Sequence, residues 1–239
     1  MRKFTYVFTM ALALLVLSGC LYPEDERAGS NIPPETDIQN VQNAVDNFQE
    51  AEGGILPIKT TSDTAEYLDY QVEFTSIVPE YLSDIPTTAY ENGGNFQYVI
   101  LNAEEDPEVK IADLAIIEEL RSLRLRINGM GEHIELGDQV GPNVYQLDLD
   151  HYNLTENPTV TSPYTSQQLN VYYSGGQDFI VDYRDDLNMM IENEGLDFET
   201  GEDIRPILYE YTPIVPIYSP EMTVDENNEA IFMTSVHKS

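Results

Sequence analysis

The sequence predicts an α+β fold in which two long helices each pack on a small, mostly antiparallel sheet. Three observations predict it. Apolar residues recur at helical spacing in two segments, 36–52 and 107–128. Runs rich in Tyr and β-branched residues follow each segment: Phe96–Leu101 in the first half, Leu169–Tyr173 and Asp178–Tyr183 in the second. Turn signals, Gly-Gly pairs above all, punctuate these runs.

The chain opens with Arg2 and Lys3, followed by an uncharged apolar run from Phe4 to Leu17. That is the charged n-region and short h-region of a secretory leader, and a span needs about 20 apolar residues. The run closes on Leu17-Ser18-Gly19-Cys20, which holds the chain's only cysteine. This tetrapeptide resembles the lipobox of bacterial lipoproteins. The resemblance implies that Cys20 takes a diacylglyceryl group by thioether and becomes the first residue after cleavage. It also implies palmitate-type acylation and a place on the outer face of the cytoplasmic membrane of a Gram-positive cell. A lipidated Cys20 leaves no thiol for disulfides, zinc or nucleophilic chemistry. Two acyl chains meet the requirement for durable anchoring.

After cleavage at residue 19 the chain runs from Cys20 to Ser239, with nine basic residues against 43 acidic ones, a formal charge of −34. Such a body is repelled by nucleic acid and by anionic lipid. Residues 20–35 carry Pro23, Gly29, Ser30, Pro33 and Pro34 and are expected to form the anchor and a flexible tether. Its root-mean-square reach is roughly 20 Å.

A first module is expected over 36–104. Thr36 or Asp37 is the N-cap candidate. Ile38, Val41, Val45 and Phe48 share a face, and Gly53-Gly54 ends the helix. Extended chain follows at Ile55–Ile58 and Tyr67–Phe74, then a helical turn at Ser76–Leu82 closed by Pro86. Tyr90–Phe96 reads as strand, Gly93-Gly94 turn, strand. This order resembles the globular head of type IV pilins and type II secretion pseudopilins over residues 41–100. Ala44, Val45, Phe48, Gly54, Pro57, Tyr81, Leu82, Pro86, Phe96 and Tyr98 carry the likeness. It implies the fold of that head; a cleaved leader and a tether replace the fibre-forming helix.

A second module with a C-terminal strap is expected over 105–239. Asp106 as N-cap and Pro107 at the first turn predict a helix to Asn128, stopped by Gly129. Ile111, Leu114, Ile117, Leu120 or Leu125, and Ile127 form its apolar face. Lys110, Arg121, Arg124 and Arg126 lie on it, with Glu118 within i+3 of Arg121. Arg121, Arg124 and Arg126 are the candidate anion or partner patch; a complement to the helix dipole is the plainer reading. Strands are expected at Asn143–Leu149 and on either side of Ser174-Gly175-Gly176-Gln177. The likeness of Tyr90–Phe96 to Tyr172–Phe179 raises a degenerate duplication of one pilin-head-like module, with chance as the alternative. A short helix is expected at Asp186–Ile191, an acidic loop at Glu192–Asp203, edge strands or a strap at Ile204–Tyr218, and a last hairpin around Asp225–Asn228. The whole chain looks like uncharacterised YphF-like lipoproteins of Bacillus-type bacteria.

No Gly-x-Ser-x-Gly, His-Glu-x-x-His or Walker pattern is present. Asp148, Asp150 and His151 are the nearest approach to a metal set, but on a strand His151 points away from the two acids. The expectation is a non-enzymatic lipoprotein, without cofactor or metal, that binds an extracytoplasmic protein or envelope component. A solute-binding lipoprotein of a transporter is the alternative, and an envelope hydrolase using carboxylates the third.

Overall fold

Two strands buried on both faces organise the molecule. The computed structural model describes residues 32–60, 65–130, 133–175 and 178–234; the leader and Cys20 lie outside them. The chain is mixed α and β, with several antiparallel sheets and few helices, and Pro33–Ser239 forms one compact unit.

Helix α1 spans Glu35–Ala51. Pro34 is its N-cap in place of the expected Thr36 or Asp37, and Glu35 and Asp37 supply acid to the first turn. Ile38, Val41, Ala44 and Val45 are buried on one side. Gly53 and Gly54 end the helix with φ of +68° and +98°, a conformation only glycine adopts without cost. Strands β1 (Ile58–Thr60), β2 (Tyr70–Val72), β3 (Phe96–Leu101) and β4 (Glu108–Asp113) then build a four-stranded antiparallel sheet in chain order. A one-turn helix α2 (Phe74–Ile77) and a 3-10 turn at Tyr90–Asn92 lie between β2 and β3.

β3 and β4 pair over six residues, Phe96 with Asp113 through Leu101 with Glu108. Phe96, Tyr98, Ile100, Val109 and Ile111 face α1 and form one core with it. Val99 and Ala112 face the opposite way, into a second and larger core. Gln97 and Lys110, on that second face, are also buried. A strand pair covered on both sides reads as a near-continuous apolar run rather than an alternating one.

The second long helix starts later in the chain than its Asp-Pro signal predicts. The helix expected from Pro107 begins only at α3 (Leu114–Asn128), and Asp113, not Asp106, caps it by accepting the Ala115 N–H at 2.9 Å. Asn102–Asp106 is the turn of the β3–β4 hairpin, so the expected module division at 104/105 passes through that turn. Cross-strand pairing of Tyr98 with Ile111 and Ile100 with Val109 outweighs the Asp-Pro cap signal. Gln42 of α1 secures the choice. Its Oε1 accepts the Val109 N–H at 2.6 Å and its Nε2 donates to the Pro107 carbonyl at 3.0 Å. Lys110 is consequently on a strand, where Nζ donates to the Tyr209 carbonyl at 2.6 Å. Within α3 the buried face is Ile116, Leu120 and Ile127, while Leu125 is 68 % exposed.

The second sheet has the order β5 (Leu136–Gly141), β6 (Val144–Leu147), β8 (Gln168–Ser174), β7 (Thr159–Thr161), with β9 (Phe179–Val181) also on β8. The two Gly-Gly segments differ. Gly93 ends a 3-10 turn, whereas β8 and β9 form a true hairpin whose residues 176–177 fall outside the described set. The chain before the first segment is a 3-10 turn at Tyr90–Asn92, whereas the chain before the second is the strand Gln168–Ser174. Helix α4 (Arg184–Glu194) follows, then α5 (Pro206–Glu210) and a hairpin of β10 (Met222–Val224) and β11 (Ala230–Phe232), as expected around Asp225–Asn228.

The Ile204–Tyr218 stretch is a strap joining both sheets. The Ile111 N–H donates to the Pro213 carbonyl and the Val215 N–H to the Ile111 carbonyl, each at 2.9 Å, while the Val181 N–H donates to the Tyr218 carbonyl at 3.0 Å. Arg205, 3 % exposed, holds the strap's start. It donates to Asp203 and Glu66 at 2.7 Å each and to the Ser219 carbonyl at 3.2 Å. Burial opposes its charge, and the bonds to Asp203 and Glu66 more than offset that, holding the guanidinium above its ordinary range.

Ile111→Ala is expected to cost about 2–5 kcal/mol and to lower a single urea transition followed by tyrosine fluorescence; two separated transitions would contradict a shared wall. Arg205→Ala is expected to cost about 3 kcal/mol, the low end for a broken buried pair, because Glu66 and Asp203 retain access to water. The urea midpoint measures it.

Candidate functional site

Helix α3 carries the candidate patch, and the structure separates its three arginines. Arg121 lies 3.7 Å from Glu118, both 69 % exposed, the i+3 pair the sequence predicts and one of little energetic weight. Arg124 reaches across to the Asp178 carboxylate, and its guanidinium lies 6.0 Å from the Phe179 ring centroid. Arg126 is exposed and, among the described residues, is the one cation without a carboxylate within 4 Å. The helix therefore offers a free positive charge on a strongly negative body. Leu125 and Met130 add exposed apolar surface at its C-terminal end.

Two hollows flank α3. One, about 340 Å³, is lined by Tyr90, Asn95, Gln97 and the first turn of the helix. The other, about 270 Å³, lies between α3 and β7, with Leu123 and Arg126 on one side and Thr159 and Val160 on the other. Both are open surface hollows. Glu119 lines the second and accepts the Thr161 N–H at 3.3 Å. Burial pushes its carboxyl above the usual range, and the Thr161 bond works against that.

The most buried acid among the described residues was not singled out by the sequence. Asp186 on α4 is 1 % exposed. Ser162 Oγ donates to its two oxygens, both at 2.9 Å, and Thr165 Oγ1 donates at 2.8 Å. Desolvation raises its carboxyl, against the Thr165 and Ser162 bonds. Alongside, Tyr164 and Tyr183 meet edge to face with centroids 5.9 Å apart. Their hydroxyls donate to the strap carbonyls of Ile214 and Ile217 at 3.2 and 3.0 Å. Asp186 thus fixes the turn that positions Tyr164, and its burial keeps it from solvent-borne substrates. The signal for it was Ser162-Pro163-Tyr164-Thr165, a turn-forming run whose acidic partner lies 21 residues away from Thr165 and is invisible locally.

The metal reading of Asp148, Asp150 and His151 changes its footing. These residues form a turn, not a strand, in which Asp148 accepts the His151 N–H at 2.9 Å. The His151 ring meets Tyr152 edge-on at 4.8 Å. Among the described residues no group of three or more His, Cys, Asp or Glu is arranged to hold a metal ion, and no helix is long and apolar enough to cross a membrane.

Asp186→Ala is expected to leave two hydroxyls without their acceptor, at about 1–3 kcal/mol for each. The sign of the pH effect follows from the raised carboxyl. Its ionisation costs the folded state more than the unfolded one, so that cost is absent below the unfolded value and complete above the folded one. The wild-type advantage over Asp186→Ala should therefore shrink as pH rises from the carboxylate range towards neutrality, measured as the difference in urea midpoints.

No curated protein and no solved structure matches the chain. Residues 34–113 match the model of the YphF family N-terminal domain, a span that begins at the cap of α1 and ends on the last residue of β4, so that helix α1 and the whole first sheet are similar to that domain.

Proposed function

We propose that the protein is a non-enzymatic lipoprotein, tethered through Cys20 to the outer face of the cytoplasmic membrane, whose body binds an extracytoplasmic protein or envelope component. The observation that carries the reading is Leu17-Ser18-Gly19-Cys20 at the end of an apolar leader. The surface along α3 supports the binding half of it. There Arg126, without a carboxylate partner among the described residues, lines the hollow beside β7, and Leu125 is exposed next to it in sequence, on a body whose other described cations are engaged or buried.

The whole chain is read as YphF-like, extending the match over 34–113. The pilin-head likeness is kept at the level of fold: a helix on a four-stranded meander is compatible with it. Assembly into a fibre forms no part of the reading. A solute-binding role asks for two lobes around a cleft, and Pro33–Ser239 forms one compact unit.

Mass analysis of the native product is expected to show a diacylglyceryl-modified N-terminal Cys20, and Cys20→Ala to abolish incorporation of a palmitate analogue. An unmodified thiol or an uncut leader overturns the placement. Crosslinking on intact cells is expected to recover a specific partner, and its repeated absence counts against the binding role.

A further inference from the structure

β7 is an edge strand of the second sheet, with α3 packed beside it. The Val171 N–H donates to the Pro158 carbonyl and the Ser162 N–H to the Gln167 carbonyl, both at 2.8 Å. With Val160 opposite Leu169, residues 158, 160 and 162 direct their backbone groups at β8. Thr159 and Thr161, opposite Asn170 and Gln168, therefore direct theirs outward. The Thr161 N–H is taken by the Glu119 carboxylate, a side chain standing where a neighbouring strand would place a carbonyl. The outward edge borders the hollow of about 270 Å³, whose far wall on α3 presents Leu123 and the unpaired Arg126.

We propose that the edge of β7 receives an extended segment of a partner polypeptide as an added strand, with an acidic side chain or terminal carboxylate of that segment on Arg126 and an apolar side chain against Leu123. Strand addition at a sheet edge draws affinity from main-chain hydrogen bonds and specificity from flanking pockets. The edge supplies the first, and the α3 wall supplies the second. Two charges line the hollow, and Glu119 is engaged with the Thr161 N–H, so Arg126 is the one that selects the occupant: an acidic segment gains it. Positively charged segments would be drawn to the body as a whole but would meet a like charge at this edge. The incoming strand replaces Glu119 at the Thr161 N–H. The inference deepens the partner-binding reading and rests on it.

The test uses the full chain in detergent and a random octapeptide library with free C-termini. Selected peptides are expected to alternate apolar residues and to carry acid at or near the C-terminus. Methylating alternate backbone nitrogens of a selected peptide should abolish binding, and Arg126→Glu should weaken it at least tenfold. No enrichment, or binding indifferent to both changes, overturns the proposal. So does a concentration-dependent dimer in sedimentation that Arg126→Glu abolishes, which would make a second copy the occupant. Crosslinking on cells carrying Arg126→Glu separates the two readings. Loss of the partner supports the edge; full recovery overturns the edge and leaves the partner role standing.

Discussion

The β3–β4 pair has no face towards water, and the rest of the molecule follows from that. One face must be covered by an amphipathic helix, and α1 supplies Ile38, Val41, Ala44 and Val45. The other face must be covered as well, and the larger core of α3, α4, α5 and the second sheet does so. Burying apolar area at about 25 cal/mol per Å² drives both contacts. A wall with cores on both sides couples them, because a shift of one strand by a residue would exchange the two faces.

Such a wall leaves an unpaired edge on β4, and buried backbone groups without partners are costly. The strap meets the need by bonding Ile111 through Pro213 and Val215, and then meets the edge of β9 through Tyr218. Its prolines limit it to short contacts rather than a full strand, as expected where N–H donors are missing. Buried polar groups hold it in place. Arg205 pins its start to Glu66 and Asp203, while Tyr164 and Tyr183 bind its carbonyls. Asp186 stands behind Tyr164, so a single desolvated acid reaches the joint between the two sheets through one turn.

The charge of the chain acquires a geometry from this arrangement. Of the cations in the described residues, Lys110 and Arg205 are buried in structural roles, and Lys59 and Arg184 are matched to Glu91 and Asp182. What remains on the surface gathers on α3, and Arg126 alone among them faces no carboxylate. Among the described residues the negative charge is thus interrupted along α3, where Leu125 and Arg126 are both exposed.

Much of the local structure was legible in residue order. The helical spacing from Ile38, the Gly53-Gly54 stop, the Phe96–Leu101 strand, the Asp225–Asn228 hairpin and the α+β class follow from periodicity and turn chemistry, which act over a few residues. The stretch from Glu108 to Asp113 did not, because its Asp-Pro start favours a helix and only pairing with β3 and the grip of Gln42 make it a strand. The patch was legible as three arginines; their division into paired and free was not, since Asp178 lies 54 residues from Arg124. Asp186, Arg205 and the edge of β7 were decided by the tertiary structure for the same reason: burial and hydrogen-bond partners are set by contacts between distant segments, and no local pattern encodes them.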